Sequence, residues 1–248
     1  MHAHRYTFGL AVSALMITTL LTFACQADGI LSPAALAGKG SDRALGTQFP
    51  LHYPLPKPGT YRLPPIQHAG TGKVIDADGT ERDLSDYLHG KYVLLSFIFT
   101  RCPDPRGCPY ATLALHQLAA MLHKDTALKD KVRLVSLSFD PDHDTPQVMQ
   151  AYAKSSGQSD YLSTPWQARP WDFLTTPSWN SLQPVLDSFG QSVIPLRDAR
   201  GEILGFSHVL KVYLIDEQGR VRNIYSTSFL NPALILDDIR TLAMTKES

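Results

Sequence analysis

Tyr92-Val-Leu-Leu-Ser-Phe-Ile-Phe-Thr100 runs directly into Arg101-Cys-Pro-Asp-Pro-Arg-Gly-Cys-Pro109. The first part is apolar at nearly every position, so it reads as a strand covered on both faces, as in a parallel sheet. The second part is proline-rich and cannot continue a central strand. In open α/β sheets, ligands gather beyond the carboxyl ends of such strands. Cys102 and Cys108, two of the chain's three cysteines, stand at that edge. The chemistry of the protein is expected there.

Toward the amino end, Lys73 to Ala77, Asp78-Gly79 and Thr80 to Leu84 read as a hairpin, with Asp-Gly supplying the turn. Leu84 to Leu88 fits one helical turn. Toward the carboxyl end, Leu113, Leu118, Met121 and Leu122 keep helical spacing from about Pro109 to His123, and Pro109 suits a first turn. Val132 to Ser138 is a second buried strand. It ends in a turn-forming acidic loop, Phe139-Asp-Pro-Asp-His-Asp144. Thr145-Pro146 opens a helix that runs to about Ser155. Trp166 to Leu174 reads as mostly irregular, with one short strand. A helix from Ser178 to Phe189 stops at Gly190. Arg200-Gly201 turns another hairpin, and Val209 to Ile215 is a strong strand. Glu217 to Arg220 leads into Val221 to Ser226, and Asn231-Pro232 opens a final helix. Hairpin, then β-α-β-α, then α-β-β-α is the order of an α/β layered domain. The expectation is a thioredoxin-like central mixed sheet flanked by helices, with an N-terminal hairpin extension.

The 248 residues are 44% apolar and carry 23 basic and 23 acidic side chains. That balance gives no basic surface, so nucleic acid is not an expected partner. His2, His4 and Arg5 precede an uncharged run from Tyr6 to Ala24, so residues 1–27 read as a signal peptide or membrane anchor. Leu21-Thr-Phe-Ala-Cys25 also resembles a bacterial lipoprotein box, with Cys25 as the lipidated residue. Cleaved signal, spanning helix and lipid anchor all remain open, and each exports the rest of the chain. The expected location is periplasmic, or the extracytoplasmic face of the inner membrane. Residues 28–68, rich in Pro, Gly and Ala, read as a tether. Residues 69–248 read as one domain.

In an exported protein a Cys102–Cys108 disulfide can persist. Closing so short a loop contributes only about 2.4 kcal/mol, so the pair reads as chemical rather than structural. Its five-residue spacer departs from the C-x-x-C of dithiol oxidoreductases; it can close a disulfide or place both sulfurs on one metal ion. Arg101, Arg106 and the start of the following helix favour thiolates, and Cys108, nearest the helix, is expected to have the lower pKa. Two thiolates leave a metal under-coordinated. Among the histidines, His2 and His4 belong to the export segment, His52 and His68 to the tether, and His89 to a turn. His116 and His123 ride a helix. His143, in the acidic loop, can approach the site. His208 stands at the start of the strong strand, across the sheet end from the cysteines.

Leu94-Leu-Ser-Phe-Ile-Phe-Thr-Arg-Cys-Pro103 with Cys108-Pro109 resembles the Sco/SenC family of copper-binding, thioredoxin-like proteins. So do Leu134-Val-Ser-Leu-Ser-Phe-Asp-Pro-Asp-His-Asp-Thr-Pro146, Trp171-Asp-Phe-Leu-Thr175, and Ser207-His208 leading to Tyr213-Leu-Ile-Asp216. The resemblance implies a copper site made by Cys102, Cys108 and His208. It also implies delivery of copper to, or maintenance of the thiols of, the dinuclear copper centre of cytochrome c oxidase. The implied partners are a respiratory oxidase subunit or another copper carrier, with the membrane reached through the N-terminus. Thiolate and imidazole donors suit copper, as Cu(I) or Cu(II), and also admit zinc. Asp140, in the family's Asp-Pro motif, is expected to orient its loop. The family spacing between the cysteines is three residues; here it is five. The alternative function is a thiol–disulfide oxidoreductase acting on exported proteins through Cys102 and Cys108.

Overall fold

The structure is a computed structural model that describes residues 53–245, together with Phe49 and Leu51. The expected export segment, 1–27, lies outside the described residues, as does most of the expected tether.

In chain order the elements begin with β1 (Gln67–His68), β2 (Lys73–Asp76), β3 (Glu81–Asp83), α1 (Ser85–Leu88) and β4 (Tyr92–Ile98). Next come α2 (Cys108–Lys124), β5 (Val132–Ser138), α3 (Pro146–Ser155), a 3-10 turn at Trp166–Ala168 and β6 (Trp171–Thr175). The chain closes with α4 (Trp179–Ser188), β7 (Val193–Arg197), β8 (Ile203–His208), β9 (Lys211–Ile215), β10 (Arg220–Ser226) and α5 (Pro232–Met244).

Eight strands form one mixed sheet in the order β1-β10-β9-β4-β5-β6-β2-β3. At its centre β4 and β5 run parallel and in register from Tyr92 opposite Val132 to Ile98 opposite Ser138. Every residue of both strands is buried, which explains why neither sequence alternates. β6 is parallel to β5 and β9 antiparallel to β4, so the centre is flanked by one strand of each sense. α2 packs against α5, and α3 against β6. Fully burying one side chain such as Leu94 or Val135 contributes about 1.5–3 kcal/mol. This centre is therefore the rigid platform for whatever projects from its carboxyl edge.

The helix ends follow their sequence signals. The Thr145 hydroxyl accepts the Val148 N–H, Ser178 accepts the Ser181 N–H, and Asn231 accepts those of Ala233 and Leu234. Gly79, after Asp78, takes the turn with φ +87°.

Three details differ from the sequence expectations. The one short strand expected within Trp166 to Leu174 is Trp171–Thr175, but it ends one residue later and is fully buried in the main sheet, with Trp171 packed on Phe173 and its indole N–H bonded to Ser136. The folded body also reaches back before Ala69. Gln67 and His68 pair with β10, Tyr61 donates to Asp238 and Arg222 donates to the Leu63 carbonyl. Finally, β7 and β8 form a separate two-stranded arm, and His208 ends that arm instead of starting β9.

Candidate metal centre

β4 ends at Ile98, and Phe99 to Gly107 carry the chain across the sheet edge to α2. Cys108 is the first residue of α2 and is buried, with its sulfur accepting the Phe99 N–H at 3.4 Å. Cys102 lies half-buried in the loop, its N–H donating to the Phe99 carbonyl at 3.3 Å. The β7–β8 arm brings His208 to the same place. Cys102 Sγ, Cys108 Sγ and a His208 ring nitrogen all lie within 4.8 Å of one another. Two metal–ligand bonds of about 2.0–2.3 Å span a gap of that order.

Aromatic packing holds the imidazole. The His208 ring lies 4.8 Å from that of Phe139 and 6.2 Å from that of Phe99, and Phe206 from the same strand packs on both phenylalanines. Trp179 flanks Phe206 at 5.8 Å. Phe99 follows β4, Phe139 follows β5 and Trp179 opens α4, while Phe206 and His208 lie on β8, so the collar ties the arm to the carboxyl ends of β4 and β5.

The loop is fastened from the β5 side. Buried Asp144 accepts from the Thr100 N–H at 3.0 Å, from the Thr100 hydroxyl and from the Ser138 hydroxyl at 2.6 Å. Arg101 bonds buried Asp140 at 2.9 Å. Thr100 and Arg101 immediately precede Cys102, so the two carboxylates fix where the loop begins. His143 sits beside Asp144 at 2.9 Å and groups with Asp140 and Asp144, apart from the cysteine set. Of the other histidines, His116 faces Gly157 and His89 bonds the Ser85 carbonyl.

The two thiols are unequal, in the order opposite to that expected. Cys102 is held down at about 4, chiefly by the hydrogen bond from the Cys108 thiol and further by one from His208. Cys108 is pushed up because it donates to Cys102 and is buried. The helix start favours charge at Cys108, but burial and a neighbouring thiolate outweigh it. The pair thus holds a thiolate at Cys102 and a proton on Cys108.

The SCO1/SenC family model matches residues 67–244. This chain belongs to the SCO1/SenC family. The SCO1 protein homolog of Bacillus subtilis is 28% identical over 140 residues, covering 56% of this chain and 64% of that relative, so the match falls short of the relative's full length. A solved SCO1/SenC family lipoprotein from Bacillus anthracis superposes with TM-score 0.58 at 26% identity, over 74% of this chain and 99% of that one. Arabidopsis thaliana ScoI, solved with copper bound, gives TM-score 0.57 at 21% identity, over 71% and 98% of the two chains. At that identity the likeness is one of fold. These SCO1/SenC neighbours share the thioredoxin-like layout expected from the element order.

Within this SCO1/SenC domain the donor set is soft. The nearby carboxylates are already engaged, Asp140 by Arg101 and Asp144 by Thr100 and Ser138, which leaves two sulfurs and one imidazole. Such a set fits copper or zinc and not a hard cation. Sequence reasoning missed the roles of Thr100, Asp144 and the aromatic collar. Asp144 carried a signal, since it stands two residues before the helix-opening proline in a turn-forming loop. Phe99, Phe139 and Phe206 carried none, because an apolar residue beside a strand end reads as ordinary core.

Proposed function

We propose that this protein is an exported, membrane-tethered copper carrier that supplies a respiratory copper-oxidase centre. The observation that carries the reading is the convergence of Cys102, Cys108 and His208 at the carboxyl edge of the sheet in a SCO1/SenC chain. Copper is cargo here. The half-exposed Cys102 thiolate meets an incoming ion first. Cys108 yields its proton on joining, and the aromatic-packed imidazole of His208 completes a three-donor set. One buried sulfur keeps the ion from water, and two half-exposed donors leave it open to a partner's ligands. Supporting the wider assignment, similar proteins include a solved SCO1/SenC family lipoprotein and a Stutzerimonas stutzeri relative named as a copper-binding protein. Among the described residues no helix is long and apolar enough to cross a membrane. Tethering is assigned to residues 1–27 on their sequence, an uncharged run after Arg5 that reads as a signal peptide or membrane anchor.

The test is copper titration of reduced protein beside His208→Ala. The expected result is one copper per chain with thiolate-to-copper absorption, and about tenfold or weaker binding in the variant, a loss of about 1.4 kcal/mol or more. Equal affinity and an equal spectrum would remove His208 from the site.

A second reading, thiol–disulfide exchange, rests on the thiolate at Cys102 beside the protonated Cys108. Cys102 attacks a partner disulfide and expels one partner thiolate. Cys108, after losing its proton, then attacks the Cys102 sulfur and expels the second. Two electrons pass to the partner, and Cys102–Cys108 ends as the disulfide. Stopped turnover in Cys108→Ser, with a trapped mixed disulfide at Cys102, is the expected signature.

A further inference from the structure

The spacer between the cysteines is two residues longer than the resemblance led us to expect, yet both sulfurs reach one site. The extra length is folded away in a turn. The Asp104 carbonyl accepts the Gly107 N–H at 3.0 Å, and the Asp104 carboxylate accepts the Arg106 N–H at 2.9 Å. Pro103 to Arg106 face solvent, whereas Gly107 is buried. The Asp104 carbonyl then comes back to 3.8 Å from Cys102 Sγ.

Both atoms occupy space beside Gly107 that a side chain would need. A β-carbon there would stand 3.0 Å from Cys102 Sγ, 3.2 Å from the Asp104 oxygen and 3.4 Å from the Asp104 β-carbon. At these distances the neighbours must give by a few tenths of an ångström, and the two nearest are a backbone oxygen and the candidate metal ligand itself, so any yielding moves the turn or the sulfur. By contrast, a β-carbon on Gly205, in the arm, would meet nothing within 4 Å.

We propose that Gly107 is a positioning residue for the metal centre: its missing β-carbon lets the Asp104–Gly107 turn close against Cys102 and seat that sulfur opposite Cys108. The five-residue spacer is then a site of ordinary reach with an outward turn added, and the turn works only with glycine at its end. This rests on the copper reading of Cys102, Cys108 and His208. It goes beyond that reading by naming what sets the sulfur's place.

The experiment uses the reduced full chain, titrated with copper(I) against a chromophoric chelator. Thiolate-to-copper(II) absorption, the Cys102–Cys108 potential and the melting temperature are also measured. Gly107→Ala is expected to fold, to bind copper about tenfold more weakly or worse, equivalent to about 1.4 kcal/mol or more, and to shift the absorption band. Gly205→Ala is expected to match the wild type in all readouts. A Gly107→Ala protein with wild-type affinity and band overturns the proposal. If Gly107→Ala does not fold, Asp104→Ala takes its place. It removes the carboxylate acceptor of the Arg106 N–H, one of the turn's two hydrogen bonds, without adding an atom, and an unchanged site in that variant overturns the proposal equally. If the wild type binds no copper, the carrier reading fails by itself and the potential decides the role of Gly107. A tenfold change in the dithiol–disulfide equilibrium, about 30 mV, supports positioning, and an unchanged potential overturns it.

Discussion

Cys102 and Cys108 show how one hydrogen bond divides two chemically identical side chains. The loop sulfur gains a donor from Cys108 and another from His208, while the helix sulfur loses solvent and must keep its proton. In the sequence, two arginines favoured thiolates at both positions, and nearness to the helix start pointed to Cys108 as the one with the lower pKa. These signals could not show that Cys108 would donate to Cys102 and be buried, and that hydrogen bond, with burial added, keeps the proton on Cys108. The consequence is testable by alkylation. At pH 6, above the depressed Cys102 value of about 4, Cys102 should react at least about tenfold faster than Cys108. Mass spectrometry after limited iodoacetamide treatment reads the ratio directly, and preferential labelling of Cys108 would refute the assignment. His208→Ala removes one donor to Cys102, so the pH at which labelling begins should rise in that variant.

The elements around the site were unequally legible. β4, β5 and the helix after the cysteines announced themselves through unbroken apolar runs and proline-marked starts, because local patterns decide them. The arm showed only as a hairpin turning at Arg200-Gly201; its strand bounds and its separation from the main sheet did not show, since β7 and β8 mix exposed Ile194, Leu196 and Leu204 with charged turn residues. His208 belongs to that arm, and the aromatic collar packs against its ring. The fastening of the loop to β5 was equally hidden, because Thr100 and Asp144 are 44 residues apart in sequence. Asp144→Ala should leave the Thr100 N–H and two hydroxyls without their acceptor. The expected loss is about 3 kcal/mol in denaturant unfolding, with copper affinity falling more than in a surface control. A loss below about 0.5 kcal/mol, typical of surface changes, would show that Asp144 does not hold the loop. Asn231, which caps α5 and donates to the Phe49 carbonyl, should cost about 1–2 kcal/mol on change to alanine.

The molecule as a whole carries a second polar centre away from the metal ligands. Asp172, on β6, is fully buried, and neither oxygen has a hydrogen-bond donor, although Arg133 Nε lies 3.4 Å away. Burial raises this carboxyl from 3.8 to about 8. The folded state therefore holds a proton that the unfolded chain releases between those values, and this group's contribution to stability falls as pH rises through the interval. Asp172→Asn should gain in melting temperature relative to wild type as pH rises from 5 to about 8; a pH-independent difference would count against a protonated Asp172. None of this was visible in the sequence, where Asp172 is one carboxylate in a short strand. The overall α/β order was visible, because element type follows from periodicity. The layout put His208 across the sheet end from Cys102 and Cys108, but the choice of these three as one ligand set came from the family resemblance, since spacing alone cannot select a partner on a distant arm. X-ray absorption of the copper-loaded full chain tests that meeting most directly. Two sulfur neighbours and one imidazole nitrogen, reduced to one sulfur in Cys102→Ser and to no imidazole in His208→Ala, are the predicted result. A shell of oxygen and nitrogen alone, unchanged in both variants, would contradict it.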